Sequence, residues 1–176
     1  LWRGRAEVRH LKTLGPVPIL WDRWRLANPL AARLALRELL AASGPRTELL
    51  LDLKGRDERL ADLVLAELPA GRQVTVCARS PRLLERFRGL AHVRVFQSAG
   101  TRRQVRALLR DADRALDGVA VHERLLDSAL VAELAQRGLL VLTWPVNSVR
   151  RAAELSLLGV HGLISDTPAD LVTVPA

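Results

Sequence analysis

The sequence predicts an α/β protein on a parallel sheet, and three observations predict it. After the first forty residues, short β-prone runs alternate with stretches of helical periodicity at near-regular spacing. The β runs are apolar on both faces, as strands covered by helices must be. The connections are short, and most of the helical stretches open on a capping residue or close on glycine.

Six runs read as strands: Leu49–Leu53, Val74–Cys77, Val93–Phe96, Val119–Val121, Leu139–Thr143 and Gly162–Ser165. Between them, "DERLADLVLAEL" starts with Asp57 as a cap and sets Leu60, Leu63 and Val64 on one face. "SPRLLERFRGL" has Ser80 as cap and Pro81 at the first helical position, and stops near Gly89. "TRRQVRALLRDADRAL" carries Thr101 and Gln104 at capping-box spacing. "HERLLDSALVAELAQRG" ends at Gly138, and "NSVRRAAELSLLG" runs from Asn147 to Gly159. Upstream, "NPLAARLALRELLAASG" is the longest helix candidate, headed by Asn28 and Pro29 and ended by Gly44. Six such units suit a (β/α)₈ barrel lacking two of them, or an open doubly wound sheet. No strand is followed by the glycine fingerprint of dinucleotide-binding folds. One domain over residues 1–176 is the simplest organisation.

Composition narrows the function classes. No apolar run approaches the roughly 20 residues of a membrane span, and the first forty residues lack a signal-peptide pattern. The chain begins with Leu and contains no Met, so the true start is expected upstream; a processed product would read the same. Cys77 is the single cysteine, which removes intrachain disulfides and fits a reducing, cytoplasmic compartment. The net charge of +8 rests almost wholly on arginine and fits a phosphate-bearing partner. Those arginines are scattered over the helices, and aromatics are 3%, which argues against nucleic acid as the partner.

Polar residues gather at strand ends. In "LLLDLKG", residues two apart share a face, so Leu50, Asp52 and Lys54 point one way. In a barrel, the C-terminal strand ends line the active-site mouth. A carboxylate there suits a hard divalent cation, and a lysine beside it suits a phosphate; a structural ion pair is the competing account. "VAVH" delivers His122, a pocket residue or a helix cap. "LTWPVN" delivers Trp144, a core residue or a ligand wall, and Asn147, most simply a cap. "GLISD" delivers Asp166, a ligand or the fixing point of the "SDTP" turn. Cys77 reads as a buried inert thiol, and His92 and His161, at strand starts, read as structural. His10, ending the β-like run "AEVRH", is an acid–base candidate.

Together these stretches resemble the glycerophosphodiester phosphodiesterase family, a TIM-barrel group of metal-dependent phosphodiesterases. "LLLDLKG" resembles the family's "LEIK" strand, with Asp52 in place of the metal-binding Glu and Lys54 on its Lys. "LTWPVN" resembles "WTVN", with Pro145 replacing Thr, and "LLGVHGLISDTP" resembles "LGVDGIITDYP". "AEVRHLKTLG" resembles the segment ending "VVxHDxTL", which sets His10 on the second of two catalytic histidines, although Leu11 replaces the usual Asp. "CARSPRLLERF" resembles "SSFdpelL", with Ala78 and Arg79 where Ser and Phe are typical.

The resemblance covers nearly the whole chain and implies a single, N-terminally incomplete domain holding strands three to eight of a TIM barrel of the phospholipase-C-like phosphodiesterase type. The family's "HRG" and "ExD" elements are not in the sequence. It further implies hydrolysis of glycerophosphodiesters to an alcohol and glycerol 3-phosphate, assisted by magnesium or calcium. His10 and Lys54 would be catalytic and Asp52 would hold metal. Lys54, Arg79, His122, Trp144 and Asn147 would contact substrate, with Asp166 beside them. The alternative is a non-catalytic basic α/β protein that binds phosphate or nucleic acid.

Overall fold

The computed structural model describes residues 5–8, 12–14, 17–22, 25–27, 34–110 and 115–171. Three short strands, β1 (Lys12–Leu14), β2 (Val17–Asp22) and β3 (Arg25–Ala27), form an antiparallel sheet in that order. This sheet is absent from the sequence-based expectation. Nearby, Glu7 bridges to Ala35, just ahead of α1 (Leu36–Ala42). The long helix expected from Asn28 is therefore shorter: Leu34 and Ala35 are extended, and its expected head at Asn28 and Pro29 lies outside the described residues.

The rest alternates as predicted: β4 (Leu50–Leu53), α2 (Arg59–Glu67), β5 (Val74–Ala78), α3 (Pro81–Leu84) with a following 3₁₀ turn (Glu85–Phe87), β6 (Val93–Ala99), α4 (Arg102–Arg110), β7 (Gly118–His122), α5 (Ser128–Gln136), β8 (Leu140–Trp144), α6 (Val149–Leu157) and β9 (Gly162–Leu163). The six strands β4 to β9 pair in sequential order, all parallel. Sequential order without reversal is barrel topology, and with flanking helices it gives an incomplete barrel. A 3₁₀ turn at Pro168–Asp170 follows β9.

Strand parity divides the sheet into two faces. Leu53, Val76, Ala78, Val95, Val119, Val121 and Val141 point toward the helices and are buried with Leu60, Val64, Leu83, Phe87, Val131, Leu134 and Leu155. Val76, Val119 and Val141 are completely buried, each contributing about 1.5–3 kcal/mol by leaving water. The opposite face carries Cys77, Phe96 and Ala120, with Leu140, Leu142 and Trp144 packed on them and no helix residue in that cluster. Register stacks this inner face in rows. Asp52, Cys77, Phe96, Gly118 and Leu140 form one row. Ser98, Ala120, Leu142 and Gly162 form the next, and His122 pairs Trp144 above it. Gly118 leaves the space that the Phe96 ring fills: a Cβ there would lie 2.4 Å from Phe96 Cε1.

Helix starts follow local hydrogen bonding. Thr101 Oγ1 accepts from the Gln104 N–H at 3.2 Å, the expected cap of α4. Asp57 accepts from the Arg59 N–H at 3.1 Å at the head of α2. Three starts differ from the sequence reading, the first being α2, whose cap position is taken by Glu58, one residue past Asp57. The stretch from His122 first makes a 3₁₀ turn over Glu123–Leu125, and Asp127 then caps α5 through the Leu130 N–H at 2.8 Å. Ser148, and not Asn147, takes the cap position of α6. Gly138 and Gly159 end their helices as expected, at φ 71° and 89°.

Candidate active site at the mouth of the open barrel

The inner-face rows end at a mouth formed by the C-terminal strand ends. Asp52 lies on the inner face, since its register partner is the inward Cys77. Its carboxylate accepts a hydrogen bond from the Lys54 ammonium. The pair is open to water, with side chains 38% and 63% exposed. An ion pair so exposed adds little stability, so an incoming anion can take the ammonium at small cost. Burial pushes the Cys77 thiol up to about 12; Asp52 adds to the rise, while Lys54 and Arg79 oppose it. Cys77 is thus the inert buried thiol expected, and these three charges are close enough to act on it.

A second group forms around Trp144. Its indole N–H donates to the Ala120 carbonyl at 3.2 Å, which fixes the ring. His122 meets it edge-on, with ring centroids 4.9 Å apart. The Arg79 guanidinium lies over the indole, 5.6 Å from its centroid, within cation–π range. Arg79 follows β5 and Trp144 ends β8, so the two side chains meet across the mouth. Gly100 permits the approach: a Cβ there would lie 3.2 Å from Trp144 Cη2 and 3.4 Å from Arg79 Nη2. Reading the sequence missed Gly100; a glycine directly after a strand, in "FQSAG", is the signal that marked it. His122 also acts as a cap, its Nδ1 accepting from the Arg124 N–H at 3.2 Å.

Asn147 and Asp166 form a third group and bind each other. The Asn147 amide donates to Asp166 Oδ2 at 3.0 Å, while its Oδ1 accepts from the Asp166 N–H at 2.9 Å and from the Ser165 hydroxyl at 3.0 Å. Asn147 therefore clasps the loop after β9 to the loop after β8. His161 is structural, accepting from the Val141 N–H at 3.1 Å. His10 lies outside the described residues.

These residues do not by themselves fit a divalent cation. Magnesium and calcium require several oxygen ligands. Asp52 offers one carboxylate, already engaged by Lys54, and Asp166 is held by Asn147. Among the described residues no group of three or more His, Cys, Asp or Glu converges to hold a metal.

The fold has solved relatives. A Silicibacter pomeroyi protein assigned as a glycerophosphoryl diester phosphodiesterase matches with a TM-score of 0.69 at 22% identity, over 81% of this chain and 56% of its own. An Oleispira antarctica phosphodiesterase, solved with the product sn-glycerol-3-phosphate, matches with a TM-score of 0.67 at 18% identity, over 81% and 61%. A Thermotoga maritima glycerophosphodiester phosphodiesterase matches with a TM-score of 0.68 at 16% identity, over 81% and 64%. The chain thus spans less than two thirds of each of these relatives, and at such identities the likeness carries the fold alone. No curated protein matches the chain. The model of the glycerophosphoryl diester phosphodiesterase family matches residues 45–170, which runs from just before β4 to the turn after β9. The chain belongs to the glycerophosphoryl diester phosphodiesterase family.

Proposed function

We propose that this chain takes a glycerophosphodiester at the mouth of its open barrel, and that hydrolysis to an alcohol and glycerol 3-phosphate follows only where oxygen ligands beyond the described residues join Asp52. The observation that carries this is Lys54: an exposed ammonium at the mouth, held by one exposed carboxylate on the strand it follows. A phosphate oxygen replaces that carboxylate with a charge-assisted hydrogen bond of similar kind. The Trp144 ring, locked by Ala120 and His122, walls the side where the glycerol or alcohol part lies. Asn147 and Asp166 act by fixing the last two loops of the rim.

His10 is the acid–base residue of this reading, by resemblance. Asp52 is its metal-side residue, and any magnesium or calcium would need further oxygen ligands from outside the described residues. The partner is a small molecule, and the cytoplasm, suggested by the lone cysteine, is the compartment. The test is titration calorimetry with sn-glycerol 3-phosphate. Binding is expected in the wild type and a loss of about tenfold in Lys54→Gln, as for one charge-assisted hydrogen bond. Indifference of the affinity to Lys54→Gln would remove the phosphate role.

One observation favours a second reading, in which the chain binds phosphate groups without turnover. Asp52 is committed to Lys54 instead of standing among other ligands. That reading predicts affinity spread over the helix arginines, falling steeply with salt.

A further inference from the structure

The Arg79–Trp144 contact bears on which alcohol the substrate carries. A flat indole at a binding mouth is where a quaternary ammonium or primary ammonium head would normally rest, through the ring's quadrupole. Here that position is filled from within the chain by Arg79, 5.6 Å from the ring centroid. The ring cannot turn away, because its N–H is held by Ala120 and its edge by His122. Arg79 is exposed and has no carboxylate partner among the described residues, unlike Lys54. A guanidinium drawn to an aromatic ring still has N–H donors free at its edge, where a carboxylate or phosphate can take two of them.

The next loop adds charge of the same sign. Arg102 and Arg103 open α4 two residues beyond Gly100, both exposed, with no acidic residue in that first turn and no carboxylate partner among the described residues. Cations at a helix N-terminus oppose the helix dipole. Their placement makes sense when an anion sits nearby.

We propose that Arg79, placed over Trp144, selects glycerophosphodiesters whose alcohol part bears a second anionic group, and disfavours those with a choline or ethanolamine head. This rests on the phosphate role given to Lys54 and adds a second subsite to it. The scissile phosphate engages Lys54, while the distal anion accepts from the Arg79 guanidinium on the Trp144 side.

The test measures the affinities of three ligands by titration calorimetry on residues 1–176. These are sn-glycerol 3-phosphate, glycerophosphocholine and bis(glycerophospho)glycerol, whose central alcohol carries a second phosphate. The wild type is expected to bind bis(glycerophospho)glycerol about tenfold more tightly than glycerophosphocholine, as one charge-assisted contact gives. Arg79→Gln is expected to bring that ratio to within about twofold of unity, and Arg79→Lys to fall between, since it keeps the charge without the planar fork. Circular dichroism checks that each variant is folded; Arg79 is exposed, so folding is expected. A wild type without preference, or a preference that survives Arg79→Gln, overturns the inference. So does a preference that vanishes only in Arg102→Gln or Arg103→Gln, which would move it to α4. Binding of sn-glycerol 3-phosphate that ignores Lys54→Gln overturns the function proposed above on its own, and no binding of any of the three overturns both.

Discussion

At Gly118 a single hydrogen atom decides whether the inner row of the sheet packs. A Cβ there would lie 2.4 Å from Phe96 Cε1 and 2.5 Å from the Leu140 carbonyl oxygen, and the carbonyl is part of the β7–β8 ladder. Gly118→Ala is expected to cost about 1–3 kcal/mol in urea denaturation, the range for overpacking. Gly44→Ala, where the new Cβ meets Thr47 Oγ1 at an ordinary 3.7 Å, is expected to stay within about 0.5 kcal/mol. Cys77 gives a prediction in pH. Its thiol, 9.0 as a free group, is raised to about 12 by burial. Below pH 9 both states hold the proton and the slope is flat. Between 9 and 12 the unfolded chain has lost it and the folded chain has not, so stability falls with rising pH by about 1.4 kcal/mol per unit. Cys77→Ala is expected to remove that part of the slope. The sequence revealed the buried thiol, because an apolar strand surrounds it. It could not reveal the Phe96–Gly118 fit, which exists only once β6 and β7 pair.

At the scale of elements, six strands, their parallel pairing and most helix ends were legible, because alternating apolar runs, caps and glycines act locally. The failures share a cause. The run from His122 reads as one helix, yet Asp127 offers a better cap, and its bond to the Leu130 N–H restarts the helix there. The preceding Glu123–Leu125 turn is capped by His122 and held by tertiary charge as well. Arg151 on α6 donates to the Glu123 carboxylate at 2.6 Å and to its backbone carbonyl at 3.0 Å. No local pattern announces a partner 28 residues away. Asp127→Ala is expected to lower stability by about 1 kcal/mol, typical of a lost cap. Arg151→Ala is expected to cost at least as much, since it leaves a partly buried carboxylate with only the longer 3.8 Å contact to Arg124. Thermal denaturation of the two single variants and the double variant separates them: additive losses mean that the cap and the turn act independently.

At the scale of the whole molecule, the mouth separates binding from turnover. On the function proposed, binding rests on Lys54, the Trp144 wall and Arg79, which sit on or just after strands that pair in order. Turnover needs more. An attacking water must be activated and the leaving oxygen protonated, and charge developing on the phosphoryl oxygens must be neutralised in place. Lys54 would be the cation at the phosphate, and Asp52 is tied to it, with no ligand cluster beside them among the described residues. A misplacement of about 1 Å already costs on the order of a hundredfold in rate. We therefore expect residues 1–176 to bind sn-glycerol 3-phosphate with or without a chelator, yet to release little or no glycerol 3-phosphate from either diester in magnesium or calcium. The assay is coupled release of glycerol 3-phosphate, run with each metal and with chelator. Robust turnover abolished by chelator would mean that Asp52 gains oxygen ligands from residues outside those described, and Asp52→Asn should then abolish it as well. Chelator-resistant turnover would point instead to Lys54 and Arg79 as the charges that stabilise the reaction, with Lys54→Gln as the variant that removes it.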